Sequence, residues 1–270
     1  RRFYSEPVMP ASILYIPHGG GPLPLLEDAE HSALISFLRK IPERLEKPDA
    51  IIVISAHWES PIPAITFGVS PELIYDYGVF PPESYQIKYP APGNPKLAQE
   101  ISGLLAANGL PVQLDDQRGF DHGMFVPLKL MYPNADIPCI QLSLLSHLNA
   151  GAHIKLGKAL IPLKQRNILV LGSGMSFHNL PAIFTPGLVD DQDNLDFEQW
   201  LQETCTWELS DAEREERLTN WREAPAALKC HPRPEHFLPL HVCVGMADGQ
   251  AEIVFDDLVM GKNVSGYLWE

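Results

Sequence analysis

Continuous apolar runs, rather than alternating ones, mark the strongest strand predictions in this chain. The four strongest runs cover residues 12–16, 50–55, 137–144 and 167–174. Such runs are typical of strands covered on both faces, as in parallel sheets, because no position has to face water. Weaker apolar stretches predict further strands at "PAITFG" after the second run and at "AEIVFD" and "SGYLWE" near the end of the chain.

Amphipathic segments separate these runs and predict helices. The first covers residues 30–47, and the apolar residues on its one face are Leu34, Phe37, Leu38, Ile41 and Leu45. Pro42 interrupts this segment and is expected to kink or split it. Further helical patterns cover 95–109, 151–163, 194–208 and 234–246. The charged stretch 195–225, which carries Trp200, Trp207 and Trp221, is interpreted as peripheral helices rather than a lid.

Buried strands that alternate with amphipathic helices are typical of an α/β protein. We therefore expect a mostly parallel central sheet with helices on both faces. The 270 residues contain no repeat and no convincing linker. One catalytic domain is expected over residues 1–270, with residues 1–11 as an extended N-terminal segment. Because ligands of open α/β sheets bind at the carboxyl ends of the strands, the site is expected at that edge.

Composition narrows the range of partners. The chain has 20 Lys and Arg residues against 34 Asp and Glu residues, a net charge of -14, and no basic stripe. This balance disfavours nucleic acid. No apolar run reaches the ~18 residues of a membrane helix, so no membrane partner is expected. The four cysteines form no CxxC pair and predict free thiols. We expect a cytoplasmic monomer or small homo-oligomer.

Histidines follow the predicted strands at several places. His18 and His57 come directly after the first and second strands, and His178 follows the run at 167–174. His122 lies in a loop before an apolar helix, and His236 is expected in the first turn of another. Since the carboxyl ends of parallel strands share one edge, these imidazoles are expected to meet there.

Other histidines are assigned away from this edge. His31 lies at a predicted helix start, and His147 and His153 are expected at the surface. His241 follows His236 by five residues, about 140° around a helix, and should point elsewhere. Each of these positions is interpreted as structural.

The stretch "PHGGGP" after the first strand allows three interpretations: an oxyanion hole, a metal site, or a tight turn between strand and helix. The first needs a G-x-S-x-G nucleophile elbow, which the chain lacks. The second needs two or three histidines from separate loops, which are available. The metal site and the tight turn are compatible with each other.

Six motifs follow one another along the chain: "PHGGGP", "SAHW", "KYPAPGNPKLA", "GFDHGMFVPL", "GSGMSFHNL" and "PEHFLPL". In these motifs the chain resembles the class III extradiol ring-cleavage dioxygenases, and most closely the bacterial 4,5-DOPA dioxygenase-like group. The resemblance runs from Ser12 to the C-terminus. It implies an α/β fold with a central sheet and a mononuclear non-haem metal site.

The resemblance also implies roles for the histidines. It makes His18, His57 and His236 the metal ligands, with Glu235 as a rival for the third place. Fe(II) is expected for activity, and Zn(II) is a plausible bound metal because three neutral imidazoles also suit zinc. His178 matches the catalytic acid/base position and is a possible fourth ligand.

Further residues are expected around the substrate. His122 matches a second histidine near the substrate, and Asp121 is interpreted either as a partner that orients an imidazole or as a helix cap. Gly19 and Gly20 are expected to let a flat ring approach the backbone. Tyr89, and with it Tyr85, is expected to wall the pocket.

The predicted function is extradiol cleavage of a catechol-type ring, DOPA-like or related, with O2 at the metal to give a semialdehyde. The expected partners are therefore a small aromatic substrate and O2. Two alternatives stay open: a zinc-dependent hydrolase, with Glu235 as general base, and a non-enzymatic metal-binding homologue.

Overall fold

Eight strands form one mixed sheet through the centre of the described molecule. The computed structural model describes residues 9–270, so residues 1–8 of the expected N-terminal segment lie outside the described residues. The strands are β1 (Ser12–Pro17), β2 (Ala50–Ser60), β3 (Ala64–Thr66), β4 (Gln113–Asp115), β5 (Cys139–Leu145), β6 (Ile168–Gly174), β7 (Glu252–Val259) and β8 (Lys262–Trp269). Their order across the sheet is β4-β3-β5-β2-β6-β1-β8-β7.

The middle of the sheet is parallel. Strands β5, β2, β6 and β1 pair in parallel, and the β7–β8 hairpin joins β1 in antiparallel fashion. Their side chains are almost entirely buried, as expected for strands with no polar alternation. All four parallel strands therefore end at one edge of the sheet.

Helices cover the sheet. They are α1 (Ser32–Lys40), α2 (Pro95–Ala107), α3 (His122–Met131), α4 (Ala150–Ala159), α5 (Leu180–Phe184), α6 (Asp191–Thr206), α7 (Asp211–Thr219), α8 (Ala227–Cys230) and α9 (Leu238–Ala247). Short 3-10 helices cover Leu23–Leu26, Ala29–His31, Ile41–Arg44, Pro82–Gln86, Ile161–Gln165 and Trp221–Glu223.

Strand β6 shows that α3 and α9 lie on opposite faces. Ser173 donates its hydroxyl to the Gly123 carbonyl in α3, whereas a Cβ at Gly172 would meet Cys243 and Pro239 of α9. Neighbouring residues of a strand point to opposite faces, so one helix lies on each side. The predicted α/β fold, with a mostly parallel sheet and helices on both faces, is confirmed.

Two predicted boundaries are adjusted by the structure. Helix α1 ends at Lys40 and continues as the 3-10 turn that contains Pro42, because proline cannot supply the next helical hydrogen bond. Strand β2 continues past His57 to Ser60, with an irregular register between Ile54 and Glu59. His57 therefore lies in the irregular end of a strand rather than after it.

The segment 195–225 packs at the periphery, as predicted. Helix α6 lies against the β7–β8 hairpin and buries Phe197, Leu201 and Cys205 on its inner side, and Trp221 is buried nearby. The four cysteines are free and buried, which agrees with the expectation from their spacing. Among residues 9–270, no helix is both long enough and apolar enough to cross a membrane.

Candidate metal centre

Five imidazoles meet at the carboxyl edge of the parallel strands. His18 follows β1, His57 lies at the end of β2, His122 opens α3, His178 follows β6 and His236 precedes α9. All five line one cavity of about 590 Å³. The structure thus brings together the five histidines that the sequence assigned to this edge.

Three of these rings form a nearly equilateral triangle. The ring centroids of His18 and His57 are 4.9 Å apart, those of His18 and His236 are 5.1 Å apart, and those of His57 and His236 are 4.9 Å apart. The Nε2 atoms of His18 and His57 lie 3.1 Å from each other. The three rings that the sequence assigned as ligands are therefore almost equally spaced.

By the distances between ligand atoms, the described residues form two groups, one that includes His122 and one that includes Glu235, and neither is this triangle. Ligand atoms of His18, His57 and His122 lie within 4.8 Å of one another, as do those of His178, Glu235 and His236. The His122 ring is less evenly placed, at 4.0 Å from His57 and 5.4 Å from His18.

The His18 ring is fixed by a hydroxyl in β6. Its Nδ1 lies 3.0 Å from the Ser173 Oγ, and that hydroxyl donates to the Gly123 carbonyl at 2.5 Å. Because the hydroxyl proton is already committed, the Ser173 oxygen accepts from Nδ1–H. The lone pair of His18 is therefore on Nε2, which faces His57.

Burial keeps the three rings of the triangle neutral. It lowers the pKa of His18 and of His236 well below the usual histidine value, and it lowers the pKa of His57 to about 4. The neighbouring imidazoles lower the pKa of each ring further. Neutral imidazoles with free Nε2 lone pairs are the form that binds divalent transition metals, so this donor set fits such an ion.

The His57 backbone is held by a buried carboxylate network. Its N–H donates to the Ser55 Oγ at 3.1 Å, and the Ser55 hydroxyl donates to Asp121 at 2.7 Å. Asp121 also accepts from the Gly123 N–H at the start of α3 and from Gln141 and Arg118. Asp121 therefore caps α3 and links Ser55, Gln141 and Arg118 beneath the site. It does not orient His122.

Asp76 orients His122 instead. Its carboxylate lies 2.6 Å from the His122 Nδ1 and accepts the His122 backbone N–H at 3.0 Å. Burial would raise the pKa of Asp76, but the hydrogen bonds from His122 outweigh it and lower that pKa. Sequence reasoning missed Asp76, because no motif marks it within the Pro- and Tyr-rich loop.

His178 stacks on His236, with ring centroids 3.5 Å apart and planes within 9°. The Glu235 carboxylate lies 3.3 Å from the His178 Nδ1 and 3.1 Å from the His236 Nδ1, and Arg233 approaches it at 3.5 Å. Burial would raise the pKa of Glu235, but the hydrogen bond and charge of His178 lower it overall. Glu235 thus holds the Nδ1 sides of both rings and leaves their Nε2 atoms for the cavity.

Glu235 and His236 lie in a turn before α9, which begins at Leu238, so the expectation that His236 sits in the first helical turn is wrong. The turn is anchored to the sheet by its backbone. The His236 carbonyl accepts from the Tyr15 hydroxyl at 2.8 Å and from the Met175 N–H at 3.0 Å. A Cβ at Gly174 would lie 2.0 Å from this carbonyl oxygen, so only glycine allows the approach.

Gly19 and Gly20 line the cavity in a tight turn that His31 supports. Gly19 has a φ of +81°, and a Cβ there would lie 2.6 Å from the His31 ring. The Gly20 N–H donates to the His31 Nε2 at 2.9 Å, while Asp28 lies 2.7 Å from Nδ1. The tight-turn interpretation is correct, and it coexists with a place in the cavity wall.

Tyr89 is not in the cavity, so its assignment as a substrate contact is corrected. It is 2% exposed, and its hydroxyl donates to the Tyr132 carbonyl in the core. Tyr85 likewise does not line the cavity; its hydroxyl donates to the Gly78 carbonyl. Tyr77 and Phe80 of the same loop form the wall instead. The composition of the loop indicated an aromatic wall but not which rings face inward.

The remaining histidines are structural. His147 is exposed as expected, but His153 is fully buried, where its Nε2 accepts the Leu145 N–H. The expectation of a surface position failed because residue 153 lies on the inner face of α4. His241 contacts the Leu218 carbonyl and points away from the cavity, as predicted.

Comparison with known proteins gives one consistent result. Residues 12–263 match the family described as the catalytic LigB subunit of aromatic ring-opening dioxygenase. The chain is 38% identical to the dioxygenase tasH of Hapsidospora irregularis over 96% of this chain and 85% of that protein. It is 42% identical to the 4,5-DOPA dioxygenase extradiol of Beta vulgaris, over 89% of each chain.

A solved structure agrees with the sequence comparisons. The crystal structure of an uncharacterized protein from Escherichia coli K12 superposes with a TM-score of 0.76 at 32% identity. The match covers 97% of this chain and 100% of that one. Fold and sequence therefore point to the same relatives over nearly the whole length.

Proposed function

The chain belongs to the extradiol dioxygenase family of the catalytic LigB subunit, whose members open aromatic rings, and from this premise we propose that it cleaves a catechol-type ring with O2 at a mononuclear non-haem metal. The carbon–carbon bond beside the two hydroxyl groups breaks, and both atoms of O2 enter the product. The product is a ring-opened semialdehyde.

The observation that carries this proposal is the triangle of neutral imidazoles in a cavity large enough for an aromatic substrate. His18, His57 and His236 are the proposed ligands, supported by their near-equal centroid distances. Fe(II) is the proposed metal, and when bound it supplies a redox-active centre that brings the catechol and O2 together. Zn(II) suits the same three nitrogens and is the proposed competitor for the site.

His178 is proposed to move the proton. The Glu235 carboxylate lies against the His178 Nδ1 and accepts its proton in a hydrogen bond. The His178 Nε2 is therefore the nitrogen that takes a catechol proton and later returns it. An imidazole suits both steps because one ring nitrogen can both take up and release a proton. Stacking against His236 holds the ring at the edge of the metal site.

His122 is proposed to bind the substrate hydroxyl. Its Nδ1 is committed to Asp76, which leaves Nε2 to contact a hydroxyl or an oxygen of the reacting ring. Gly19 and Gly20 are proposed to form the flat wall against which the ring lies, since both line the cavity with backbone alone.

The test is oxygen uptake by protein loaded anaerobically with Fe(II) or, in parallel, with Zn(II). A panel of catechols that includes DOPA is added in air, and absorbance follows the semialdehyde. We expect one O2 consumed per catechol with Fe(II) only. His57→Ala should lose metal and activity, His178→Ala should lose activity but keep metal, and His147→Ala, at an exposed site, should keep both.

Two outcomes contradict the proposal. Oxygen uptake no greater than that of free iron, with zinc tightly bound, would favour the hydrolase alternative. Full metal binding by the His57→Ala variant would remove the proposed ligand set.

A further inference from the structure

The outer half of the cavity is apolar on both sides. Val79 and Phe80 of the loop before α2 form one side, and Leu180, Ile183 and Phe184 of α5 form the other. Val79 is fully exposed, and Phe184 and Leu180 are 77% and 48% exposed. Apolar side chains that stay in water on two facing elements mark a surface that a ligand covers.

The charges of the same cavity are negative. Among the described residues that line it, Asp76 and Glu30 carry carboxylates, and no lysine or arginine is present. Asp76 is bound to His122, while Glu30 is exposed at the rim. At the rim a substrate carboxylate would meet the like charge of Glu30 and would find no lysine or arginine to pair with.

The cavity is also larger than a bare catechol needs. Its volume of about 590 Å³ lies in the range of sites that enclose drug-sized ligands. A ring that lies between the imidazoles and the glycines would leave its substituent to extend outward between Phe80 and α5. The size and the apolar lining of the outer half of the cavity therefore determine which ring substituent the site accepts.

We infer, on the basis of the proposed ring cleavage, that the substrate is a catechol with an apolar substituent and without a carboxylate. An alkyl or aryl catechol fits this surface, and a catechol amino acid does not. Each methylene buried against Phe80, Leu180 or Phe184 favours binding by roughly three- to fourfold.

The test compares two matched catechols, 4-propylcatechol and 3-(3,4-dihydroxyphenyl)propionate, with DOPA as a third. The Fe(II)-loaded protein is assayed for kcat/KM in air and for binding by calorimetry without oxygen. We expect 4-propylcatechol to exceed both carboxylates roughly tenfold or more in kcat/KM and in affinity.

Two variants examine the cause of this preference. Leu180→Arg places a cation on the apolar wall and should raise kcat/KM for the propionate several-fold while lowering that for 4-propylcatechol. Leu258→Arg makes the same change at a site of equal exposure, 50%, in β7 outside the cavity, and should leave the ratio unchanged. Glu30→Gln should improve only the carboxylates.

The outcomes separate this inference from the proposed function. Equal or better use of the carboxylates by the wild-type protein overturns the inference and leaves ring cleavage standing. Tightest binding of 4-propylcatechol without oxygen consumption contradicts the proposed reaction but supports the substrate class. If no catechol binds and none is consumed, both fall.

Discussion

A histidine ring nitrogen binds a metal only while it keeps its lone pair. In this protein the hydrogen-bond partner of one ring nitrogen determines that the other nitrogen keeps the lone pair. Ser173 fixes the proton of His18, Asp76 that of His122, and Glu235 lies against Nδ1 of both His178 and His236. Such partners orient a ligand and raise its basicity, so they shape a metal site without touching the ion.

Ser173→Ala is therefore expected to weaken metal binding while the three proposed ligands remain. The His18 ring loses the acceptor that fixes its tautomer, and the dissociation constant should rise roughly 10- to 100-fold. The constant can be measured for Zn(II) in competition with a chelator.

Ser143→Ala is the matched control. Ser143 is also buried in a strand and accepts one backbone N–H, from Ala64, but it contacts no imidazole. An equal loss of affinity in both variants would show that the serine acts through the fold alone.

Glu198 makes one contribution to the pH dependence of stability. Burial raises the pKa of this carboxyl to about 7, although hydrogen bonds from the Ser176 and Ser265 hydroxyls oppose the shift. Because the folded pKa exceeds the unfolded one, the stabilising contribution is complete below pH ~4.5 and is lost as the pH rises through 7. The loss amounts to about 3 kcal/mol.

Glu198→Gln removes this titration. Its free energy of unfolding, measured by denaturant at several pH values, should exceed that of the wild type increasingly between pH 5 and 8. Glu203→Gln, on the same helix, controls for the loss of one acidic residue. Parallel curves for the wild type and Glu198→Gln would refute the assignment.

Single residues were predictable from sequence where they follow strands. His18 and His178 could be placed because they follow strands that end at the same edge of the sheet, and His57 because it lies near the end of β2 at that edge. Asp76, Tyr77 and Tyr89 could not, because the direction of a side chain in a long loop depends on tertiary contacts. His153 failed for a related reason, since its burial comes from the packing of α4.

At the scale of elements, the glycine turn after β1 joins the sheet to the cavity. Its conformation rests on the positive φ of Gly19 and on the bond from the Gly20 N–H to His31. The turn lies directly between β1 and the 3-10 helix Leu23–Leu26, which hold its two ends.

Gly19→Ala should destabilise the fold by roughly 1–3 kcal/mol, because alanine is strained at this φ and its Cβ would strike the His31 ring. Gly103→Ala provides the opposite case. Gly103 lies within α2 with open space at its Cβ, and the substitution should stabilise by about 0.5–1 kcal/mol. Thermal or denaturant unfolding distinguishes the two, and shifts of the same sign would contradict this account.

The ends of helices could be predicted from sequence where a residue near the end acts locally. Pro42 ended α1 as expected, since the missing N–H acts locally. The start of α9 was placed too early because the bonds from Tyr15 and Met175 to the His236 carbonyl hold the preceding turn. Those contacts are distant in sequence, and no local pattern reports them.

At the scale of the whole molecule, the site is built from both ends of the chain. The proposed ligands at 18, 57 and 236 belong to elements that meet only after the sheet is complete. A metal bound there binds the folded state and not the unfolded chain, so it must stabilise the whole fold.

Zn(II) added at about 100 times its dissociation constant should stabilise the apo-protein by about 2.7 kcal/mol. This corresponds to a rise in Tm of roughly 5 °C for a chain of this size. Differential scanning fluorimetry with and without a chelator measures it. His57→Ala should abolish the rise and His147→Ala should keep it; a rise of equal size in both would place the metal elsewhere.

The sheet and the edge that carries the site could be predicted because buried parallel strands appear in the sequence as continuous apolar runs. The apolar mouth of the cavity could not, because Phe80 and Phe184 lie about a hundred residues apart in segments without strong periodicity.

Gly174 carries no charge, no donor side chain and no contact with substrate, yet the position of the His236 turn depends on the methyl group it lacks. Because the clash is with the backbone of the turn, any side chain at position 174 should displace this turn and lower both stability and activity. Part of what positions the site is therefore a side chain that this residue lacks.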